Sequence, residues 1–449
     1  MPQLRVAVLM LCLNACAAQR LLDEIPDGGA DLAVEGSGGS DGGGPCLGRF
    51  CQVPSCPSGS TTTLSGVLYA GNGTDPVPGA MVFIPIEGVP TVPTGLSCDT
   101  CSSVPSSVSG ATTGPDGSFV LSGVPAGSFP LVLRLGKFQR VVKVQANPCV
   151  QNSVPPDPDT ASMGVRLPRK QGELSPQDYL PHIAVGSGDY DQIECVLQRI
   201  GIDESAIDMY NDRNLGTTNP PSIAELSDLL TDQNRLFGYD ILIVNCTENQ
   251  YESLIAQSSV KQNLESFVRQ GGRLYITDWA YDVIEQIPQF ANYLCFEPQS
   301  PPGPAMCLAG SQPAASADSG DNYGGESQVL DPNMAKWLTQ FPGVISAGNQ
   351  VDVEYSFVVV ASVSSDASAQ SKVWVQGPTI GFGTRPLTVT FDYQGCGRVH
   401  FSTYNTEPNG IVNDSQRWPN NCQPQFSPQE RLLEYLFFNV AACVGPPPG

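Results

Sequence analysis

The sequence predicts a multidomain protein: a small β-sandwich, then an α/β domain with a three-layer parallel sheet and a β-rich insertion. Three observations carry that prediction. Residues 61–147 hold short apolar runs bounded by Gly or Pro, with no helical periodicity. From residue 179 to 445, continuous apolar runs alternate with stretches patterned at helical spacing, which marks a parallel sheet covered on both faces. Between about 295 and 395 that alternation is interrupted by Pro-, Gly- and Ser-rich text carrying strand-like runs such as "VEYSFVVVASV" and "RPLTVTFDY".

Residues 1–15 read as a secretory signal, with Arg5, an apolar stretch from Val6 to Leu13, then small residues. That stretch is shorter than the ~20 apolar residues that cross a bilayer. Its end, Leu13-Asn14-Ala15-Cys16, resembles the bacterial lipoprotein cleavage box, and the resemblance implies that Cys16 carries the lipid. Ala17 follows where Asp would signal inner-membrane retention, so the expected location is the outer membrane or surface of a Gram-negative cell. Residues 16–60, rich in Gly, Asp, Pro and Cys, bury too little apolar surface to repay ordering and read as a flexible tether. The chain carries 44 acidic against 22 basic residues, a formal charge of −22. With no basic stripe to release counterions, a nucleic-acid partner is excluded.

Fifteen cysteines fit an oxidising compartment. Cys46, Cys51, Cys56, Cys98, Cys101 and Cys149 read as a disulfide framework, as do Cys295 with Cys307 and Cys422 with Cys443; spacing leaves the connectivity open. Cys195 and Cys246 sit inside apolar patterns and read as buried core thiols. Removing Cys12 with the signal and Cys16 to lipid leaves an odd number, so at least one thiol stays unpaired.

Within 61–147, "LSGVLYAG", "GAMVFIPI", "GSFVLSG" and "FPLVLRLG" are strands, and Asp116-Gly117 marks a tight turn. The phrases Gly66-x-Leu68, Pro78-Gly79-Ala80-x-Val82, Thr112-Thr113-x-x-Asp116-Gly117-x-Phe119 and Gly123-Val124-Pro125-Ala126-Gly127 resemble the carboxypeptidase regulatory-like domains of transthyretin (prealbumin) type. The resemblance implies a carbohydrate-binding-like fold, acting as a spacer or as a glycan-binding module. A sugar site wants an aromatic ring to stack on, and most of Tyr69, Phe83, Phe119, Phe129 and Phe138 fall on strands as core. The inserted "LSCDTCSSVPSSVSG" reads as a stapled loop. Its "CDTC" lacks the helix that redox chemistry needs and has neither His182 nor His400 within the module to make a zinc site, so a structural disulfide is expected. Residues 148–178 read as a Pro-rich linker.

In the α/β domain "PHIAVGSG", "YDILIVN", "RLYITD" and "GRVHFSTYN" are strands. The stretches "DYDQIECVLQRIG", "SIAELSDLLTDQNRLF", "YESLIAQSSVKQNLESFVRQGG" and "SPQERLLEYLFFNVAAC" are helices, with Ser222 a candidate N-cap. This order, with "DILIVN" and "GGRLYITD", resembles the class I glutamine amidotransferase-like fold. Active relatives place a cysteine on an elbow after the equivalent of "RLYITD", then a histidine and a glutamate two residues apart after the late strand. Here Trp279 stands at the expected cysteine position and Asn405 at the histidine, while Glu407 keeps its spacing. An amide cannot take a proton at neutral pH. His400 lies within a strand and His182 begins another; both read as structural.

Asp278 and Cys246, each at a strand end, remain candidate nucleophiles, with Asp278 also a candidate helix cap. Asp189, Asp191, Asp278 and Asp282 are candidate metal ligands, with Ca²⁺ the ion such an acidic rim suits, and Glu407 belongs to the same edge; "DSGDNYGGE" (Asp318–Glu326) is a second acidic loop. The expectation is a lipid-anchored envelope protein that binds or structures, with no resident cofactor. Its expected partners are the membrane, through the lipid, and a cell-envelope glycan or another surface protein. The alternative is a surface hydrolase using Asp278 or Cys246.

Overall fold

The computed structural model describes residues 46–101, 105–157, 164–212, 223–247, 254–297, 318–364, 370–406, 417–419 and 422–444. Cys16, Ser222, Cys307 and Glu407 lie outside the described residues, as do the side chains of residues 318–323 in the acidic loop. Among the described residues no helix is long and apolar enough to cross a membrane.

Eight strands open the chain: Thr63–Tyr69 (β1), Met81–Pro85 (β2), Ser107–Thr112 (β3), Ser118–Ser122 (β4), Gly127–Leu135 (β5), Phe138–Ala146 (β6), Gln151–Ser153 (β7) and Val165–Arg166 (β8). They make two four-stranded sheets, one ordered β4-β1-β7 with β8 also on β1, the other β3-β2-β5-β6. Leu64, Leu68, Phe119 and Leu121 of the first join Val82, Ile84, Leu131 and Leu133 of the second in one buried cluster. The β3–β4 turn forms where Asp116-Gly117 predicts it: Gly117 has φ +73, and a Cβ there would lie 2.4 Å from the Leu68 carbonyl oxygen.

The span assigned to a linker (148–178) is instead built onto these sheets through β7 and β8. Arg140 pairs with Asp178 at 2.7 Å and Asp157 at 3.7 Å, and Arg166 pairs with Asp157 at 3.3 Å and Glu173 at 2.8 Å, all nearly buried. Proline content signalled a joint; the Arg140 pairs that fasten it to β6 reach well beyond the local sequence, which no local pattern discloses.

The remaining strands are Ile183–Ser187 (β9), Ile207–Asn211 (β10), Ala224–Glu225 (β11), Ile241–Val244 (β12), Arg273–Thr277 (β13), Leu294–Phe296 (β14), Asp318–Val329 (β15), Gln350–Val358 (β16), Val360–Val363 (β17), Lys372–Thr379 (β18), Gly383–Tyr393 (β19) and Gly397–Ser402 (β20). Ten of them form one sheet ordered β11-β10-β9-β12-β13-β20-β19-β18-β15-β16, while β14 and β17 pair separately. From β11 to β20 every pairing is parallel; from β20 to β16 every pairing is antiparallel. The insertion therefore widens the main sheet.

Alternate side chains of the parallel strands enter different cores, which is why the strands read as unbroken apolar runs. Ile241, Ile243 and Tyr275 face the helices Ile193–Arg199 and Pro428–Ala441. Leu242, Val244, Leu274 and Ile276 face the helices Leu226–Thr231 and Ser258–Arg269. Helix Pro428–Ala441 begins with a full capping box between Ser427 and Glu430.

That last helix also carries the two N-terminal sheets. The Phe138 and Phe437 rings meet edge to face at 6.2 Å and Arg431 pairs with Asp75 at 2.7 Å, while from the neighbouring helix Pro332–Leu338 Trp337 Nε1 donates to the Pro76 carbonyl at 2.8 Å. Disulfides add to the seam. Cys98 bonds Cys396 and Cys101 bonds Cys443, whereas Cys46–Cys51 and Cys56–Cys149 are local to the N-terminal part. The expected Cys422–Cys443 pair is absent: Cys422 bonds Cys195, which is therefore no core thiol. Cys195 and Cys422 meet because helix Ile193–Arg199 packs beside helix Pro428–Ala441, a tertiary fact beyond sequence spacing. Cys295 is disulfide-bonded. Cys246 is the free cysteine among the described residues, and it is buried. Five bridges between described residues indicate an oxidising location.

Candidate functional site

Parallel strands β9, β12, β13 and β20 end side by side, and each hands over at once to polar residues. The handover segments are Gly188-Asp189-Tyr190-Asp191, Asn245-Cys246-Thr247, Asp278 and Thr403-Tyr404-Asn405-Thr406. This is the edge where ligands of such sheets bind. Here it is closed: Asp189, Asp191, Asn245, Cys246 and Asp278 are all fully buried and Asn405 is nearly so. Close approach of two strand ends contributes to the closure. Gly188 lies against the Cys246 carbonyl, and a Cβ there would be 2.0 Å from that oxygen.

Asp191 is the hub. Its carboxylate accepts from the Thr406 hydroxyl at 2.5 Å, from the Thr406 and Gln192 amides at 2.9 Å each, and from the Thr277 hydroxyl. Burial still pushes its carboxyl above the usual range, against the pull of those donors. Thr277 Oγ1 in turn accepts from the Cys246 amide at 3.0 Å. Asp189 accepts from the Thr247 hydroxyl, which also donates to the Asp212 carbonyl at 2.8 Å. Asn245 donates to Glu194 at 2.8 Å. Asp189 and Asp191 thus tie strand ends together, and among the described residues no group of three or more His, Cys, Asp or Glu is arranged to hold a metal ion. Asp282 belongs to the next short helix, beside Glu285, whose carboxyl burial and the Asp282 charge push up to about 8.

The elbow falls one residue earlier than the sequence places it. Asp278, not Trp279, takes the left-handed backbone, at φ +41, directly after β13. Trp279 is half-buried and packs against the core under helix Ser258–Arg269. The predicted cap role of Asp278 does not appear: the turn that follows is Asp278–Tyr281, its N-cap is Thr277, and no side chain caps it. The Asp278 carboxylate instead accepts from the Cys246 thiol, Sγ to Oδ2 being 3.8 Å. Burial raises the Cys246 thiol well above its ordinary range, the charges of Asp278 and Asp191 raise it further, and the Trp279 amide and Asn405 side chain oppose them. A thiol so placed stays protonated, because the negative charge of its carboxylate neighbour disfavours the thiolate that a nucleophile needs.

Neither histidine approaches this group as a base. His182 is exposed at the opposite end of β9, its Nδ1 3.1 Å from the Gly238 carbonyl. His400 is fully buried in β20 with its ring 4.0 Å from that of Tyr275, and neither ring nitrogen has a hydrogen-bond partner in the described residues. The threonines Thr247, Thr277 and Thr406, which hold the cluster together, escaped sequence reasoning. The available signal was the single polar residue that ends each buried run.

No family model matches the sequence, and no curated protein matches it. Among solved structures, a ThuA-like protein from Parabacteroides merdae is similar at 10% identity over 59% of this chain and 91% of that one, with a TM-score of 0.32. A ThuA-like protein from Bacteroides uniformis gives 10% identity, 57% and 89% coverage and the same TM-score of 0.32. A cohesin–X-dockerin complex from Acetivibrio cellulolyticus gives 13% identity, 32% and 88% coverage and a TM-score of 0.17. Likeness this weak says nothing of what the chain does.

Proposed function

We propose that this is an exported cell-envelope protein, anchored by lipid on Cys16, with a binding or structural role and no catalysis of its own. In this reading the C-terminal part is an amidotransferase-like scaffold emptied of its chemistry, and the N-terminal sheets are a transthyretin-type sandwich. The observation that supports it is the sealed strand edge. Cys246 and Asp278 are fully buried, the thiol is held protonated, and Asn405 stands where a base would be. Of the aromatics that a sugar ring would need in the N-terminal sheets, Phe83, Phe119, Phe129 and Phe138 are core, which leaves half-buried Tyr69. A protein-facing or purely structural role is therefore favoured over glycan binding.

The competing reading, a hydrolase acting through Asp278 or Cys246, draws on the left-handed backbone at Asp278, a conformation that non-glycine residues adopt mostly where structure enforces it. Incubation of the full chain with glutamine and a panel of amide and ester substrates separates the two. The expected result is no ammonia release and no turnover, and no labelling of native Cys246 by a thiol-reactive probe. Turnover that disappears in Asp278→Ala or Cys246→Ala overturns the proposal. A glycan array with the full chain addresses the sugar option, and the expected result is no hit across cell-envelope glycans.

A further inference from the structure

Cys98 and Cys101 are spaced as a CxxC pair, yet each is bonded away from the other, across the seam between the N-terminal sheets and the large sheet. The backbone explains why. Thr100 bridges Val444 in parallel, the Cys101 amide donates to the Val444 carbonyl at 3.0 Å, and the Val444 amide donates to the Asp99 carbonyl at 2.9 Å. An extended step of three residues spans ~10 Å, whereas a disulfide needs its Cα atoms within about 4.4–6.8 Å. The Val444 ladder and a Cys98–Cys101 bond therefore exclude one another. The two bridges also differ in where they can be reached: Cys98 is exposed and its partner Cys396 is buried, while Cys101 is 5% exposed and its partner Cys443 is half-buried. Arg273 sits between them, donating to the Cys396 carbonyl at 2.8 Å and to the Ala442 carbonyl at 3.1 Å.

We propose that Cys98-Asp99-Thr100-Cys101 is a redox clasp that a dithiol reductant opens with two electrons. The dithiol attacks the Cys98–Cys396 bridge at exposed Cys98, expels the Cys396 thiolate and leaves as its own disulfide, so Cys98 and Cys396 become thiols. Cys98, as thiolate, then attacks Cys101 Sγ, forming Cys98–Cys101 and expelling the Cys443 thiolate, which takes up the proton that Cys98 lost. One dithiol is oxidised, two bridges across the seam become one local bridge, and Cys396 and Cys443 end as thiols. The Val444 segment is released in the same step, because the new bond requires the loop to fold back from it.

The test is peptide mapping by mass spectrometry after acid quench and alkylation. Wild-type protein treated with one equivalent of dithiothreitol is expected to carry tags on Cys396 and Cys443 together, with a new Cys98–Cys101 linkage. In the Cys396→Ser variant the exchange needs no electrons: Cys98 has lost its outer partner, so Cys98–Cys101 forms spontaneously and Cys443 takes the tag. Tags on Cys98 and Cys396 with Cys101–Cys443 intact in the wild type overturn the proposal. So does a tag on Cys98 with Cys101–Cys443 intact in the variant. If the variant does not fold, the wild-type mapping decides alone.

Discussion

Replacing His400 by phenylalanine should remove an acid-sensitive point from the middle of the large sheet. His400 is fully buried with no hydrogen-bond partner in the described residues, and burial pushes its imidazole from an ordinary 6.5 down to about 3. Below pH 6.5 the unfolded chain takes up a proton at this position and the folded chain does not. The stability that the neutral ring secures is thus complete above 6.5 and drains away as the pH falls towards 3. At pH 5 the drop covers about 1.5 pH units at 1.36 kcal/mol each, or about 2 kcal/mol. Raised carboxyls such as Glu285 act in the opposite sense, contributing stability on the acid side that is lost as the pH climbs to about 8. The informative quantity is therefore a difference of differences. Urea unfolding at pH 8 and pH 5 gives two free energies for wild type and two for His400→Phe. The wild type should lose about 2 kcal/mol more than the variant between these pH values. Equal losses, within about 0.5 kcal/mol, would mean that folded His400 titrates normally and that its burial shifts nothing.

Three further substitutions probe other parts of the fold. Asp191→Ala strips the acceptor from Thr277, Thr406 and two backbone amides, and at about 1–3 kcal/mol per orphaned buried group it should cost at least about 3 kcal/mol in urea unfolding. A loss below about 1 kcal/mol would contradict its role as hub. Gly188→Ala places a methyl 2.0 Å from the Cys246 carbonyl, and the overpacking should cost about 1–3 kcal/mol and lower the melting temperature. Arg431→Ala leaves Asp75 and Glu434 buried without the guanidinium that lies 2.7 and 2.5 Å from them. The loss should be about 3–5 kcal/mol in urea unfolding, and a loss below about 1 kcal/mol would contradict the pairing.

Strand identity was legible for β9, β12, β13 and β20 because each is buried on both faces, whereas β10 and β11, partly exposed at the sheet edge, went unread. "YDILIVN" and "RLYITD" delivered β12 and β13 almost to the residue. Helix Pro428–Ala441 was equally plain, since its capping box and apolar stripe are local features. Boundaries failed where polar residues turned inward. "DYDQIECVLQRIG" becomes helical only at Ile193, because Asp189 and Asp191 are drawn into the strand-end cluster. "SIAELSDLLTDQNRLF" breaks at Asp232, which caps a second short helix. The elbow register slipped by one residue because backbone sign is not written in residue type: Asp278 is held left-handed by its surroundings. Disulfide partners such as Cys98 and Cys396 lie 298 positions apart, and only the folded chain brings them together.

Because helix Pro428–Ala441 forms a wall of the N-terminal core, through Phe437 against Phe138, that core is complete only when two segments far apart in the chain have met. Loop closure over roughly three hundred residues is slow. The N-terminal sheets therefore complete their core no faster than the chain can bring these two distant segments together.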